Sequence, residues 1–413
     1  MTGVASLRHN RDFRLLWVGQ TVSVLGGNVS SVAYPLMALA LTHSAIDAGL
    51  TAFANAAPFV LLQLPVGVHV DRWNRRALLL VSDTGRALAL GSVALLLVVG
   101  HLVYVELVAA AVVEGSLFVP FRLAEWASLL RIVPTAQLAD AIALNQGQTY
   151  GTSLAGKPVG GLLFALRPAF PFLADAVSYG ASLLSIAAIK THLPAPPRPA
   201  ERHLVRELRE GLAWTWSHRF VRSTALLVSG NDFVVNGLFL LLVVLVRQRG
   251  ASATLVGVML GLGSAGGLVG SFAAPFLRRR IHSLRLVVAG TVWVDTLLVG
   301  LLVLTTNPIL LGVLLGLILS LWPLYNAVVQ ARWMSEIPDA LMGRVQSVTA
   351  VLAWAPVPLA PLAAGLLLQF TGRIASILCF AAIMFAAAIA ATFNRDVKEA
   401  SADRPTVPAA SQN

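Results

Sequence analysis

Cysteine and charge are both scarce in this chain. Its 413 residues include one cysteine, Cys379, which excludes an intrachain disulfide. Only 12% of residues are charged, against about 25% in soluble domains, so a water-solvated globular surface is not expected. There is no Gly-Lys-Ser/Thr phosphate loop, which leaves no nucleotide-driven step for this chain. No Cys/His spacing suggests a metal site. Neither an enzyme nor a bound cofactor is expected. The polar start, Met1 to Arg14, leads into an apolar run without a cleavage pattern, and that run reads as a retained first helix.

Long apolar runs take the place of charge. Hydrophobic residues make up 57% of the chain and the mean hydropathy is +0.77. Runs of about 20 apolar residues are what a bilayer requires. Twelve spans are placed at 15–41, 48–70, 77–99, 103–121, 143–165, 169–189, 223–246, 252–277, 283–304, 308–331, 345–369 and 374–393. The net charge of +11 could suggest nucleic acid, but its distribution argues otherwise. Of 30 Lys and Arg, only Arg167, Arg247, Arg249 and Arg373 fall in the loops of one side, and Arg86 and Lys157 lie within spans. The rest face the other side, which places both termini in the cytoplasm and makes the basic charge a topology signal. The expected setting is a multi-pass protein of the cell (inner) membrane, with the lipid bilayer as partner and no nucleic acid.

The two halves repeat. Gly67 and Gly270, Pro120 and Pro323, Pro134 and Pro338, and Gly161 and Gly365 share an offset of 203 to 204 positions. Such a constant offset predicts a duplicated six-helix unit in parallel arrangement. The expected division is a bundle at 1–190, a cytoplasmic linker at 191–221, a second bundle at 222–394 and a disordered tail at 395–413. Four prolines (Pro194, Pro196, Pro197, Pro199) extend the linker's start. Glu201 to Trp216 then reads as an amphipathic helix, with Leu204, Leu208, Leu212 and Trp216 on one face, suited to the inner membrane surface.

Between the second and third spans, Gly67, Asp71, Arg72, Arg75 and Arg76 spell G-x-x-x-D-R-x-x-R-R. This resembles the signature loop of the major facilitator superfamily. Phe118-Val-Pro-Phe-Arg122, Leu138 to Asn145, the Gly156–Gly161 cluster and Ile337 to Ser347 resemble the drug:proton antiporter branch that includes macrolide-type efflux proteins. Asp83-Thr-Gly-Arg86 belongs to the same pattern. The resemblance implies an all-α fold of twelve transmembrane helices in two halves, a monomer, and an inner gate built on Gly67, Asp71, Arg72, Arg75, Arg76, Asp83 and Arg86. In that gate Asp71 would face the start of helix 11 near Gly343 and Arg344. The chain departs from the family at Lys157, where a proline is usual after Gly156. It departs again at Glu114, where many proton antiporters have arginine.

A charge at the bilayer centre costs about 2.5–3.5 kcal/mol and is therefore expected to be paired or functional. Glu114 lies about 16 Å and Lys157 about 12 Å from the same face at 1.5 Å per residue. Those depths predict a Glu114–Lys157 pair, with Asp175 as a rival partner for the lysine. Asp232 is a further proton-coupling candidate, and Asp295 is placed on a peripheral helix. Gln20, Asn28, Tyr34, Gln146, Tyr150, Asn236 and Asn326 are the candidate polar anchors of a mostly apolar substrate cavity. Gly156, Pro158, Gly160 and Gly161, with Pro356, Pro358 and Pro361 in the other half, are expected hinges. The reading is a secondary transporter that exports hydrophobic or amphipathic small molecules, coupled to protons. The alternatives are export of one endogenous metabolite, solute uptake, or a non-transporting receptor of the same fold.

Overall fold

The computed structural model describes residues 7–70, 73–191, 204–281, 283–338 and 341–394. Among these, thirteen α-helices run in chain order. They are α1 (Arg11–Thr42), α2 (Ala45–Val70), α3 (Arg75–Val99), α4 (Tyr104–Ile132), α5 (Leu138–Leu166), α6 (Ala169–Ala187), α7 (Leu204–Ser217), α8 (Arg219–Gln248), α9 (Ala253–Arg280), α10 (Leu284–Leu301), α11 (Pro308–Glu336), α12 (Met342–Trp354) and α13 (Leu359–Phe393). Short polar residues set the starts. Asn10 accepts from the Phe13 amide, Asn74 from Arg76 and Ala77, and Ser252 from Leu255, each satisfying amides that the first turn leaves free. α3 stops at Gly100, whose left-handed φ of 75° closes the turn.

Ten helical stretches among the described residues are long and apolar enough to cross a membrane. α5, which carries Asn145, Gln146, Gln148 and Lys157, is not one of them. Residues 342–393 count as a single stretch of 52 residues. That stretch is broken at 355–358 and bent at Gly372, where φ is 74° and ψ is −179°. The broken segment contains Pro356 and Pro358, and a proline removes a backbone donor and crowds the preceding turn. Of the expected hinge prolines, Pro356 and Pro358 therefore sit at an interruption, whereas Pro361 lies within α13. Pro158, by contrast, lies inside an unbroken α5.

Helix pairings repeat between the halves. α1 packs on α6 as α8 packs on α13, and α2 packs on α4 as α9 packs on α11. The repeated glycines have nevertheless diverged. A Cβ at Gly67 would meet open space, whereas one at Gly270 would lie 2.0 Å from the Ser320 carbonyl oxygen. The outer surface is apolar: Phe272, Leu184, Phe370 and Leu304 are each more than 75% exposed, as a lipid-facing belt requires.

One helix boundary differs from expectation, and the packing of the linker helix adds a contact the sequence did not show. α4 continues past Phe121 to Ile132, so Arg122 and Glu125 belong to a membrane helix rather than to a loop. Pro120 does not end it, because packing supports the helix on both sides of the proline. α7 buries Gly211 and Thr215, with Gly211 against the Arg344 backbone of α12. Leu212 and Trp216 of the expected apolar stripe stay outside, 45% and 52% exposed.

Candidate functional site

A cavity of about 530 Å³ lies where the halves meet. α1 contributes Gln20 and Asn28, α2 Asn55 and Phe59, and α4 a stripe from Glu114 through Phe118 to Glu125. Asn236 of α8, with Trp354, Val357 and Pro358 at the α12–α13 break, closes it from the second half. Phe59 spans the seam, its ring 5.3 Å from Trp354 and 6.0 Å from Phe118. Apolar walls with a few polar groups are the usual make-up of a small-molecule site.

Glu114 is the centre of the polar wall. Tyr34 donates to its Oε2 at 2.8 Å and Asn55 to the same oxygen at 3.1 Å. Tyr179 donates to Oε1 at 3.0 Å. Arg86 Nη2 lies 3.7 Å from Oε1 and donates to the Tyr179 hydroxyl at 2.5 Å. The guanidinium also stacks on the Tyr179 ring, 4.1 Å from its centroid, and lies near Phe118 and Phe121. On its other side Arg86 reaches Asp83 at 3.7 Å. The site thus draws on α1, α2, α3, α4 and α6, so that one buried acid ties together five helices.

The predicted Glu114–Lys157 pair does not form. Lys157 Nζ donates to Ser264 Oγ at 3.2 Å and sits 4.4 Å over the Phe239 ring. The reason is lateral: α5 turns this residue toward α8 and α9, while Glu114 faces α3 and α6. Equal depth does not place two side chains on facing surfaces. Asp175 is not the lysine's partner either, because it accepts from Ser30 at 2.5 Å and from Ser178 at 3.1 Å. Asp232 is half-buried on α8, and Asn236 donates to its backbone carbonyl at 2.8 Å. Asp295 is 5% exposed on α10.

The expected cavity anchors divide into two groups. Gln20, Asn28 and Asn236 line the central chamber, and Tyr34 stands behind its wall on Glu114. Gln146, Tyr150 and Asn326 instead line a separate crevice between α5, α9 and α11. Of the expected gate residues, Asp71 and Arg72 lie outside the described residues. Arg75 donates to the Ala127 carbonyl at 3.1 Å. Arg76 donates to the carbonyl of Ala187, the last residue of α6, where a cation complements the helix dipole. Arg344 bonds Glu210 of α7 at 2.6 Å, and a side chain at Gly343 would meet open space.

The expected hinge glycines are close-approach positions. A Cβ at Gly156 would lie 2.6 Å from Asn28, and one at Gly160 2.4 Å from the Val29 carbonyl oxygen, both on α1. Gly161 faces the other half, 2.3 Å from the Ala253 carbonyl oxygen. A second seam forms where Gly365 meets Ala45 and Gly49 meets the Pro361 carbonyl. Both seams lie at the end of the bundle away from the described chain ends and from α7.

Glu125, Tyr179, Asn55 and Glu210 are the residues that sequence reasoning missed. Glu125 is 8% exposed in the chamber wall and pairs with Arg122 at 3.2 Å. Its signal is legible, since it lies three helical turns beyond Glu114 on one face, but the expected span at 103–121 stops short of it.

A family model described as transmembrane secretion effector matches residues 1–410. The multidrug efflux pump Tap of Mycobacterium tuberculosis is 27% identical over 384 residues, which is 89% of each chain. Tap of Mycolicibacterium fortuitum is 25% identical over 91% of this chain and 93% of its own. An uncharacterised MFS-type transporter, YfiS of Bacillus subtilis, is 28% identical over 71% and 69%. Among solved structures, an inward-facing, unoccupied bacterial homologue of the human lysosomal transporter Spinster superposes with a TM-score of 0.72. It is 13% identical and covers 98% of this chain and 100% of its own. The nucleoside transporter NupG gives 0.68 at 12% identity, over 93% and 98%. The chain belongs to the transmembrane secretion effector family of major facilitator transporters, and it is a transporter rather than an enzyme.

Proposed function

We propose that this transporter exports hydrophobic or amphipathic small molecules, drugs or antibiotics among them, from the cytoplasmic membrane by proton antiport. The observation that carries the reading is Glu114, a buried carboxylate in the wall of a chamber between the two halves. The relatives named as multidrug efflux pumps support the direction and the substrate class. The chamber's volume falls in the range of about 300–1,000 Å³ common to small-molecule sites.

Coupling follows from what holds Arg86. With Glu114 ionised, the guanidinium lies between Glu114 and Asp83 at 3.7 Å from each. A proton on Glu114 cancels one of those attractions and leaves Arg86 to Asp83, which loosens α4 from α3 and α6. A ligand or proton shifts a two-state equilibrium only through such a differential interaction. Solute and proton therefore compete for one wall of one chamber.

The proposed cycle is alternating access, with 1–190 and 222–394 rocking as two units joined by the 191–221 linker. Twelve crossings result if α5 and both limbs of the bent 342–393 stretch each span the membrane. The Lys/Arg asymmetry supports cytoplasmic termini. The glycine seams then close the outer side, as in an inward-facing state. The unit that works is a single chain.

The test is ethidium efflux from cells expressing the wild type or Glu114→Gln, with and without a protonophore. Efflux should stop with the protonophore and fall to the empty-cell rate in the variant. Protonophore-insensitive efflux would overturn proton coupling. Dye retention equal to empty cells in the wild type would overturn multidrug export and favour a narrow-substrate transporter.

A further inference from the structure

α5 and α9 come from different halves and form a V. They touch at one end, where Gly257 and Gly261 leave no room for a Cβ against Lys157 and Pro158. Further along, the nearest approach to a Cβ at Gly267 relaxes to 3.7 Å, from Tyr150. Beyond that point the helices part around a crevice of about 880 Å³, which α11 closes on the third side. Gln146 marks its depth, about 12 Å along α5 from Leu138.

The chemistry of this crevice is one-sided. Arg278 and Arg279, in the last turn of α9, line its mouth, and among the described residues no acidic one lines it. Glu336 is held by Arg332 at 2.7 Å, and Asp140 lines a different cavity, between α1 and α5. Tyr150, Asn326 and Gln330 add neutral groups able to donate. Ala274, Pro275, Pro323 and Ala327 form an apolar floor. The central chamber differs, since its lining pairs Glu114 and Glu125 with Arg86 and Arg122.

Two arginines at the mouth with neutral donors inside match a phosphate, which guanidinium groups bind through several charge-assisted bonds. The apolar floor matches alkyl chains. One position round from the crevice, Phe272 and Phe276 are 78% and 58% exposed on the same helix, so the crevice adjoins surface that meets acyl chains. We propose that it is a binding site for the headgroup of an anionic phospholipid, seated between the two halves. Basic pockets between membrane helices hold such headgroups. Because the site lies in the opening of the V, an occupant stabilises the state in which α5 and α9 are parted.

The experiment is native mass spectrometry of the full-length protein in mixed micelles with phosphatidylglycerol or phosphatidylcholine. The comparison is among wild type, Arg278→Gln/Arg279→Gln and Arg280→Gln. Arg280 lies over the Phe276 ring and does not line the crevice, so its loss controls for removal of a neighbouring arginine outside the site. Size-exclusion profiles confirm that each protein is folded. Wild type and Arg280→Gln should retain phosphatidylglycerol over phosphatidylcholine. The double variant should bind it about 30-fold more weakly, on the basis of roughly 1 kcal/mol per arginine. Equal retention of both lipids by the wild type would overturn the proposal, as would undiminished phosphatidylglycerol in the folded double variant. Displacement of the lipid by millimolar inorganic phosphate would assign the arginines to a soluble anion instead and would also overturn it.

Discussion

At the scale of single residues, the buried charges are ranked by their partners rather than by their depth. Arg86 compensates Glu114 directly and also supports Tyr179, which bonds the same carboxylate. Removing one member of a buried pair costs about 3–5 kcal/mol, because the other is left uncompensated. Lys157 has one hydrogen bond and one ring contact to lose, together worth about 1–2 kcal/mol. Arg86→Gln should therefore reduce the monodisperse yield in detergent and lower the melting temperature far more than Lys157→Gln. Equal effects would argue against Arg86 as the charge that compensates Glu114. Both Glu114 and Arg86 were legible as intramembrane charges. Their union was not, because helical spacing relates residues along one helix and says nothing about which other helix it faces.

At the scale of elements, glycines decide how the halves meet. Backbone lies against backbone at Gly161–Ala253 and at Gly49–Pro361, where any side chain would overlap a carbonyl oxygen. Gly161→Val must push α5 from α9 by more than an ångström at a packed seam, and overpacking costs about 1–3 kcal/mol. The variant should insert normally yet lose most ethidium efflux. A thiol reagent added from outside should also reach a cysteine at Ser264, now beneath a wedged seam, more than tenfold faster than in the parent. Unchanged accessibility with lost efflux would argue against a closing role for the seam. The cluster around Gly156 was visible in the sequence as a helix-breaking group. The structure replaces bending with contact, since α5 runs straight through it. Bending belongs to the other half, at Pro356, Pro358 and Gly372.

At the scale of the molecule, topology rests on charge. The last turn of α8 carries Arg247 and the loop after it Arg249, yet the excess of Lys and Arg lies on the opposite face. In a Cys379→Ala background, Arg249→Cys should react with an impermeant maleimide on intact cells. His218→Cys, exposed between α7 and α8, should react only after permeabilisation. The reverse pattern would invert the molecule and turn the glycine seams toward the cytoplasm.

By itself the sequence determined what composition and periodicity can express. Apolar runs of bilayer length make a membrane-embedded helical protein, and the signature motifs carry the likeness to a transporter family, because each signal is local or additive along the chain. Only the tertiary structure decided which surfaces face one another. It turned Lys157 to Ser264 and Phe239, brought Tyr179 and Asn55 to Glu114, and extended α4 so that Glu125 joined the chamber. It also moved Gln146, Tyr150 and Asn326 into a crevice of their own. Those outcomes depend on the rotation of each helix about its axis, and that rotation is set by packing against neighbours distant in the chain.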